Sequence, residues 1–376
     1  MKLKYTAPVF DYSGYGEASR HDVKSLVGAS VNVTIEAPGY TREKSDYGSL
    51  GKLCTNLVGK KIGYRIKIIH TTPNVYPQFF EKDKYHIGRV FWETDCLPKD
   101  FAMQVQLCDE IWTGSQFGVD AIKKAGVTKP IYIIPEAIDT DLDIDKIRSY
   151  HVENQDTYKF YSVFEWIERK NPRALLIAYW QEFRKGENVS LTLKTYRNDF
   201  MKKNYGTIEG QIRLAKKQLL YDEYAPVYIY KHLMNREHIY RFHKTFDCFI
   251  SAHRGEGWGI PQMEAMLLEK PIISTDLGGI HESLNKEQAL LVPHKLIPIT
   301  GEVRNRNWYT PDMKWGDVSI PALRKAMRWM YENQKEGQTM GKNGRKLVLK
   351  NFSTKAVGKI MVHRLRDIQK EFDNAL

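Results

Sequence analysis

Two consecutive doubly wound α/β domains are what this sequence predicts. Short runs rich in Val, Ile, Tyr and Phe alternate with helical stretches almost throughout the chain, the pattern of parallel sheets with crossover helices. At 376 residues the chain exceeds what one hydrophobic core usually serves. The alternation is interrupted near the middle by an acidic segment, Asp139-Thr-Asp-Leu-Asp-Ile-Asp145, that is poor in large apolar residues.

In the first half, strands are expected at 2–9, 31–35, 64–69, 87–92, 110–113 and 131–134, with helical patterns at 18–26 and 118–125 among the connections. The acidic segment and the polar stretch that follows, up to about Asp156, read as a linker. Strands restart at 159–163, 190–194, 227–230, 248–251, 271–274 and 289–292. From Pro321 the chain reads as helical. One apolar stripe is Ala326, Met327, Met330 and Tyr331; another is Ala356, Ile360, Val362 and Leu365. The expected domains are 1–145, 146–350, and a helix at 351–376 that returns to the first. A cleft between the domains is the expected ligand site, because open α/β sheets bind beyond the carboxyl ends of their strands.

Hydrophobic content of 42% and charged content of 27% are ordinary for a soluble globular protein. Nothing approaches the apolar run of about 18 residues that a transmembrane helix needs. The opening MKLKYTAPVF is a poor signal peptide, since its apolar stretch is short and Asp11 interrupts it. Cys54, Cys96, Cys108 and Cys248 form no CxxC pair, so neither a zinc site nor a redox motif is suggested. Reduced thiols in a cytosolic protein are the plain reading. A net charge of +12 suits polyanions, namely nucleic acid, an anionic membrane or a diphosphate. It equally suits a solvated basic surface. The basic C-terminal helices carry the same pair of readings, with packing of the apolar stripe and an exposed basic face favoured.

The segment 246–284, FDCFISAHRGEGWGIPQMEAMLLEKPIISTDLGGIHESL, carries chemistry. A buried strand ends in a glycine-rich loop, His253 to Gly259, and Pro261 suits the first turn of a helix expected to run to about Leu268. Gly255, Gly257 and Gly259 let backbone approach a ligand closely. The amides at the following helix N-terminus suit a phosphate. Glu256 precedes that helix and Glu264 lies within it, so two carboxylates can accept hydrogen bonds from hydroxyls of one ligand.

The pattern E-G-x-G-I-P-x-x-E-A-M followed by G-G-x-x-E resembles the Glu-x7-Glu signature of retaining glycosyltransferases of family 4. That family has the GT-B fold, two Rossmann-like domains facing across a cleft. Glu256 and Glu264 fall on its paired glutamates, and Gly278, Gly279 and Glu282 on its downstream element. The resemblance extends more weakly over nearly the whole chain. The segment Asp11-Tyr-Ser-Gly-Tyr-Gly-Glu-Ala-Ser19 is similar to the family's N-terminal glycine loop, with Gly14 and Gly16 bringing amides to the diphosphate or acceptor. The stretch 110–139 looks like the family's scaffold. In 164–171, Lys170 matches the family's phosphate-binding lysine. Glu165 stands where an arginine is expected, and Arg169 is the candidate replacement.

Donor-binding residues implied by the resemblance are Gly257, Trp258, Gly259, Ile260, Glu264 and, near the base, His232. The family often has a first-domain histidine at the reaction centre, whereas this chain offers Phe91-Trp-Glu-Thr-Asp-Cys-Leu-Pro98. Glu93 is therefore a catalytic candidate in the cleft and Asp95 an acceptor or sugar candidate, against the alternative that they cap the next helix. His70, His253 and Arg254 are further candidates.

The implied reaction is metal-independent, front-face transfer of a hexose from a UDP- or GDP-sugar to an acceptor hydroxyl. Glu256 orients the sugar, Lys170 and Arg169 stabilise the leaving diphosphate, and the nucleotide sugar is a co-substrate, so no cofactor is implied. The acceptor is a glycan or lipid-linked glycan, with nucleic acid such as a hydroxymethylated DNA base as the alternative. The place is cytoplasmic, or peripheral at the inner face of a membrane. A sugar-nucleotide binding protein or an epimerase on the same fold is the reading from another class.

Overall fold

The computed structural model describes residues 1–39, 47–152, 156–303 and 305–374, with the side chain of Phe200 left aside. Glu153, Asn154 and Gln155 of the expected linker lie outside the described residues. The chain forms two compact units. The first comprises Met1–Leu142 and Leu347–Leu376, the second Asp143–Lys346.

In chain order the first unit contains β1 (Lys2–Thr6), α1 (Gly14–Gly28), β2 (Asn32–Glu36), α2 (Gly48–Leu57), β3 (Ile66–Ile69), β4 (Tyr85–Arg89), α3 (Lys99–Val105), β5 (Glu110–Thr113), α4 (Gln116–Lys124) and β6 (Ile131–Ile133). The six strands are parallel in the order β2-β1-β3-β4-β5-β6. β3 and β5 are buried along their whole length, as strands covered on both faces must be. The direction of winding reverses between β1 and β3, and ligand sites in such sheets form at the carboxyl ends beside that reversal. β1 stops at Thr6 rather than running to Val9, because Pro8 has no N–H for the ladder and the chain turns with Val9 N donating to Ala7 O.

The second unit contains β7 (Tyr158–Glu165), α5 (Pro172–Glu182), β8 (Val189–Tyr196), α6 (Asp199–Tyr205), α7 (Ile208–Leu219), β9 (Val227–Tyr230), α8 (Arg236–Thr245), β10 (Cys248–Ser251), α9 (Ile260–Leu267), β11 (Ile272–Thr275), β12 (Ala289–Val292), β13 (His294–Pro298), β14 (Lys314–Val318), α10 (Ile320–Glu332) and α11 (Gln334–Leu347). Its parallel sheet has the order β12-β11-β10-β7-β8-β9, the dinucleotide-fold order, with the reversal between β7 and β10. β13 and β14 pair as a separate antiparallel hairpin that the sequence reading lacked.

The chain ends in α12 (Thr354–Asn374), which packs on α1 in the first unit. Its buried face is Val357, Met361, Val362, Leu365 and Ile368, so Val362 and Leu365 of the expected stripe are buried, Ala356 is half-buried and Ile360 faces out. Gly358 sets this face. A Cβ there would lie 2.4 Å from the carbonyl oxygen of Ser25, so only glycine lets the helices approach this closely. Arg364 of α12 donates to the fully buried Glu110 at 2.6 Å. The stripe on α10 behaves as expected, with Met327 and Met330 in the core of the second unit. Among the described residues no helix is long and apolar enough to cross a membrane.

Candidate functional site

The reversal between β7 and β10 brings two loops together at the carboxyl edge of the second sheet. After β7 a tight helical turn, Glu168–Lys170, leads to Asn171, whose left-handed backbone (φ 51°) and side chain cap α5. After β10 the glycine loop reaches Gly259, whose φ of 96° starts α9, with Pro261 in the first turn. The loops are knitted together. Arg254 N donates to Arg169 O at 2.7 Å, and the Arg169 guanidinium donates to Gly255 O at 2.9 Å.

Glu256 sits at this junction, 8% exposed. Its carboxylate accepts a hydrogen bond from Lys170 Nζ and lies 4.0 Å from Arg169 Nη1. Burial alone would raise the carboxyl, but the two cations overcome it and hold it at about 2. The Gly278-Gly279 element fixes the same residue through backbone. Gly279 N donates to Glu256 O at 2.9 Å, and a Cβ on Gly278, which has φ 101°, would meet that oxygen at 2.3 Å. The downstream glycines thus close the loop on Glu256.

Glu264, one α9 face further on, is 2% exposed and accepts from Arg236 of α8. It also lies 3.2 Å from His243 Nε2, and His243 Nδ1 is 2.8 Å from the Tyr161 hydroxyl. Arg236 and His243 escaped the sequence reading. Asn235, a strong cap residue whose side chain accepts from His238 N, was the available signal that Arg236 opens a helix.

His253 has no exposed surface and both nitrogens are engaged inside the unit. Nε2 is 2.9 Å from Leu277 O, which only accepts, so Nε2 carries the proton and Nδ1 accepts from Ser251 Oγ at 2.9 Å. Burial takes this imidazole down to about 4. His253 is therefore a neutral bracket for the loop, with both ring nitrogens engaged by Ser251 and Leu277. Arg254 is likewise spent within the protein. It donates to Glu168 Oε1 at 3.2 Å and to Asp317, and stands 5.7 Å from the Trp315 ring centroid. Gly316 N donates to Arg254 O at 2.6 Å, so the β13–β14 hairpin braces the glycine loop. Glu165, at the family's arginine position, accepts from Asn198 Nδ2 at 2.6 Å. Trp258 is buried, Gly257 and Ile260 are half-buried, and His232 is exposed in the turn after β9.

In the first unit the loop after β1 and the end of β3 meet at that sheet's own reversal. Gly16 is demanded by packing, since a Cβ would lie 2.1 Å from Asp11 O, whereas a Cβ on Gly14 meets nothing within 4 Å among the described residues. The buried Arg20 props this loop by donating to Val9 O at 2.7 Å and Asp11 O at 2.9 Å. His70 is buried in a polar knot. Arg89 Nε and the Tyr5 hydroxyl each donate to Asp22 Oδ2 at 2.9 Å, and Tyr5 lies 2.7 Å from His70 Nδ1. With the tyrosine proton given to Asp22, Nδ1 carries the imidazole proton. Burial, then Arg89, push His70 well below the usual histidine range.

After β4, Trp92 is buried and donates to Thr94 Oγ1 at 2.6 Å and Cys96 O at 2.8 Å. Asp95 accepts from Lys124 of α4, and Glu93 is half-buried. The cap position of α3 is Pro98, without a side-chain cap.

Residues 204–298 match the family described as "Glycosyl transferases group 1". The span contains Glu256, Glu264 and the Gly278-Gly279 element. No curated protein gives a significant sequence match. Among solved structures, sucrose-phosphate synthase from Thermosynechococcus elongatus has a TM-score of 0.69 at 16% identity, covering 99% of this chain and 100% of that one. HepE of Anabaena, in complex with UDP and glucose, has 0.66 at 13% identity, over 98% and 100%. A glycosyltransferase from Rickettsia africae has 0.67 at 13% identity, over 98% of each. The fold is thus that of GT-B glycosyltransferases, two Rossmann-like units, and residues 204–298 of the second unit are similar to the group 1 glycosyltransferase family.

Proposed function

We propose that this protein is a retaining glycosyltransferase of family 4 that moves a hexose from a UDP- or GDP-sugar to the hydroxyl of a glycan or lipid-linked glycan in the cytoplasm. The observation that carries the reading is Glu256, ionised between Lys170 and Arg169 at the carboxyl ends of β7 and β10. The neighbour HepE is described with UDP-glucose, which makes a UDP-hexose the first donor to try.

In this reading Glu256 accepts hydrogen bonds from sugar hydroxyls and sets the ring against the diphosphate. The bond from the anomeric carbon to phosphate oxygen breaks, and the acceptor oxygen bonds to that carbon on the same face. The acceptor proton passes to the departing phosphate oxygen. Negative charge grows on the diphosphate, where Lys170, Arg169 and the N-terminal amides of α9 stabilise it electrostatically without needing a metal. In the first unit Gly14, beside which there is room among the described residues, is the backbone position offered to donor or acceptor.

The test is nucleoside diphosphate release from a set of UDP- and GDP-hexoses, followed by NMR of the product anomer. Retention at the anomeric carbon is expected, and Lys170→Ala is expected to reduce transfer by roughly a hundredfold or more while the protein stays folded. An inverted product, or a Lys170→Ala enzyme with wild-type turnover, would overturn the assignment.

A further inference from the structure

We propose that Lys194, Tyr196 and Tyr230 form a subsite that reads the donor's nucleobase and selects one carrying a keto oxygen, uracil or guanine, over its amino counterpart. The inference rests on the transferase reading above and goes beyond it, because neither the glutamates nor Lys170 discriminates among bases.

Lys194 lies in β8, paired in register with Val163 of β7 and Tyr230 of β9. Residues paired across parallel strands share a face, and so do residues two apart on one strand. Lys194, Tyr196 and Tyr230 therefore lie on one face near the carboxyl edge of the sheet. Tyr161 of β7 lies on that face as well, bonded through His243 towards Glu264. The three residues thus occupy the same side of the sheet as the second signature glutamate.

Lys194 is only 6% exposed, yet among the described residues it has no hydrogen bond and no ion pair. Its one polar contact is with the Tyr196 ring, whose centroid is 5.7 Å from Nζ. The ammonium thus lies beside a tyrosine ring that is itself partly exposed. Burial is the sole influence on it and pulls it below the usual lysine range. Its Nζ is not among the fully buried unpaired atoms, so water reaches it, and a ligand acceptor at that edge can replace this water with a charge-assisted hydrogen bond. Tyr196 and Tyr230 are each 37% exposed, which leaves aromatic surface at the same edge. The turn after Tyr230 holds His232.

Aromatic faces stack any base. An ammonium has three donors and no acceptor. It bonds O4 of uracil or O6 of guanine, but at those positions cytosine and adenine present amino groups that oppose its donors. The matched pairs UDP against CDP and GDP against ADP isolate this one difference.

The experiment is calorimetric titration of the full chain with UDP, CDP, GDP and ADP, comparing wild type with Lys194→Met. A charge-assisted hydrogen bond implies a keto preference of roughly tenfold to a hundredfold within at least one pair. Lys194→Met is expected to abolish that preference by weakening the keto nucleotide alone. Wild type without a keto preference, or a preference that survives Lys194→Met, overturns the inference and leaves the transferase reading standing. Wild type that binds none of the four sinks both. Should Lys194→Met not fold, Tyr196→Leu at the exposed edge decides. Loss of affinity for all four bases supports the subsite, and unchanged affinity overturns it.

Discussion

Glu256 owes its charge to its neighbours. In an 8% exposed position a carboxyl would ordinarily drift towards its neutral form, and Lys170 with Arg169 reverses that. The pair is mutual, since Lys170 is also half-buried and has Glu256 as its hydrogen-bond acceptor. Glu256→Gln keeps the shape and removes the charge. It is expected to slow transfer by roughly a hundredfold and to cost about 2 kcal/mol of stability, because the half-buried Lys170 exchanges a charged acceptor for a neutral one. Steady-state kinetics and denaturant titration read the two effects separately. Wild-type kcat together with wild-type stability would show that this ion pair is ornamental.

At the scale of elements, what aims Glu256 is backbone geometry. Gly278 has φ 101° and presses on Glu256 O, so Gly278→Ala is strained twice over. A loss of roughly 1–3 kcal/mol is expected, with loss of transfer. Gly14→Ala is the contrast. It is not among the positive-φ glycines and has open space around the new Cβ among the described residues, so its melting temperature should stay near wild type while transfer falls if α1's first turn meets a ligand. Thermal denaturation alongside an activity assay distinguishes them.

The same scale explains how much was legible in advance. Four-residue runs such as Cys248–Ser251 announce buried parallel strands because both of their faces are covered. The Glu256–Glu264 spacing was equally plain, since strand, glycine turn and helix are local. The β13–β14 hairpin was not. β13 is nowhere fully buried and its partner lies beyond a long connection, so neither period nor turn chemistry marks it. The roles of His253 and Arg254 were hidden as well, because their partners Leu277 and Asp317 are distant in sequence. Lys194 did leave a signal. A lysine inside an otherwise uncharged run that reads as a buried parallel strand needs a reason.

For the whole molecule, the buried histidines set the response to acid. His70 lies in the first unit, His243 and His253 in the second, and none has exposed surface worth the name. Burial lowers all three, His253 to about 4, with Glu264 partly opposing the shift at His243. In the unfolded chain each titrates near about 6.5. Between pH 6.5 and about 4 the unfolded state therefore binds more protons than the native state, and stability falls as pH falls. Each such histidine contributes a slope of at most about 1.4 kcal/mol per pH unit. The carboxylates of Glu256 and Glu81, held at about 2, add a loss that starts as pH falls through the unfolded carboxylate value of about 4.3 and is complete near 2. Destabilisation should thus begin well above the pH at which carboxylates protonate, and it should reach both units. Hydrogen exchange at pH 7 and pH 5, corrected for intrinsic rates, reads this by peptide. Lowered protection is expected around β3 in the first unit and around β10 and α8 in the second. Protection unchanged in either unit would mean that its histidines are not held neutral by the fold.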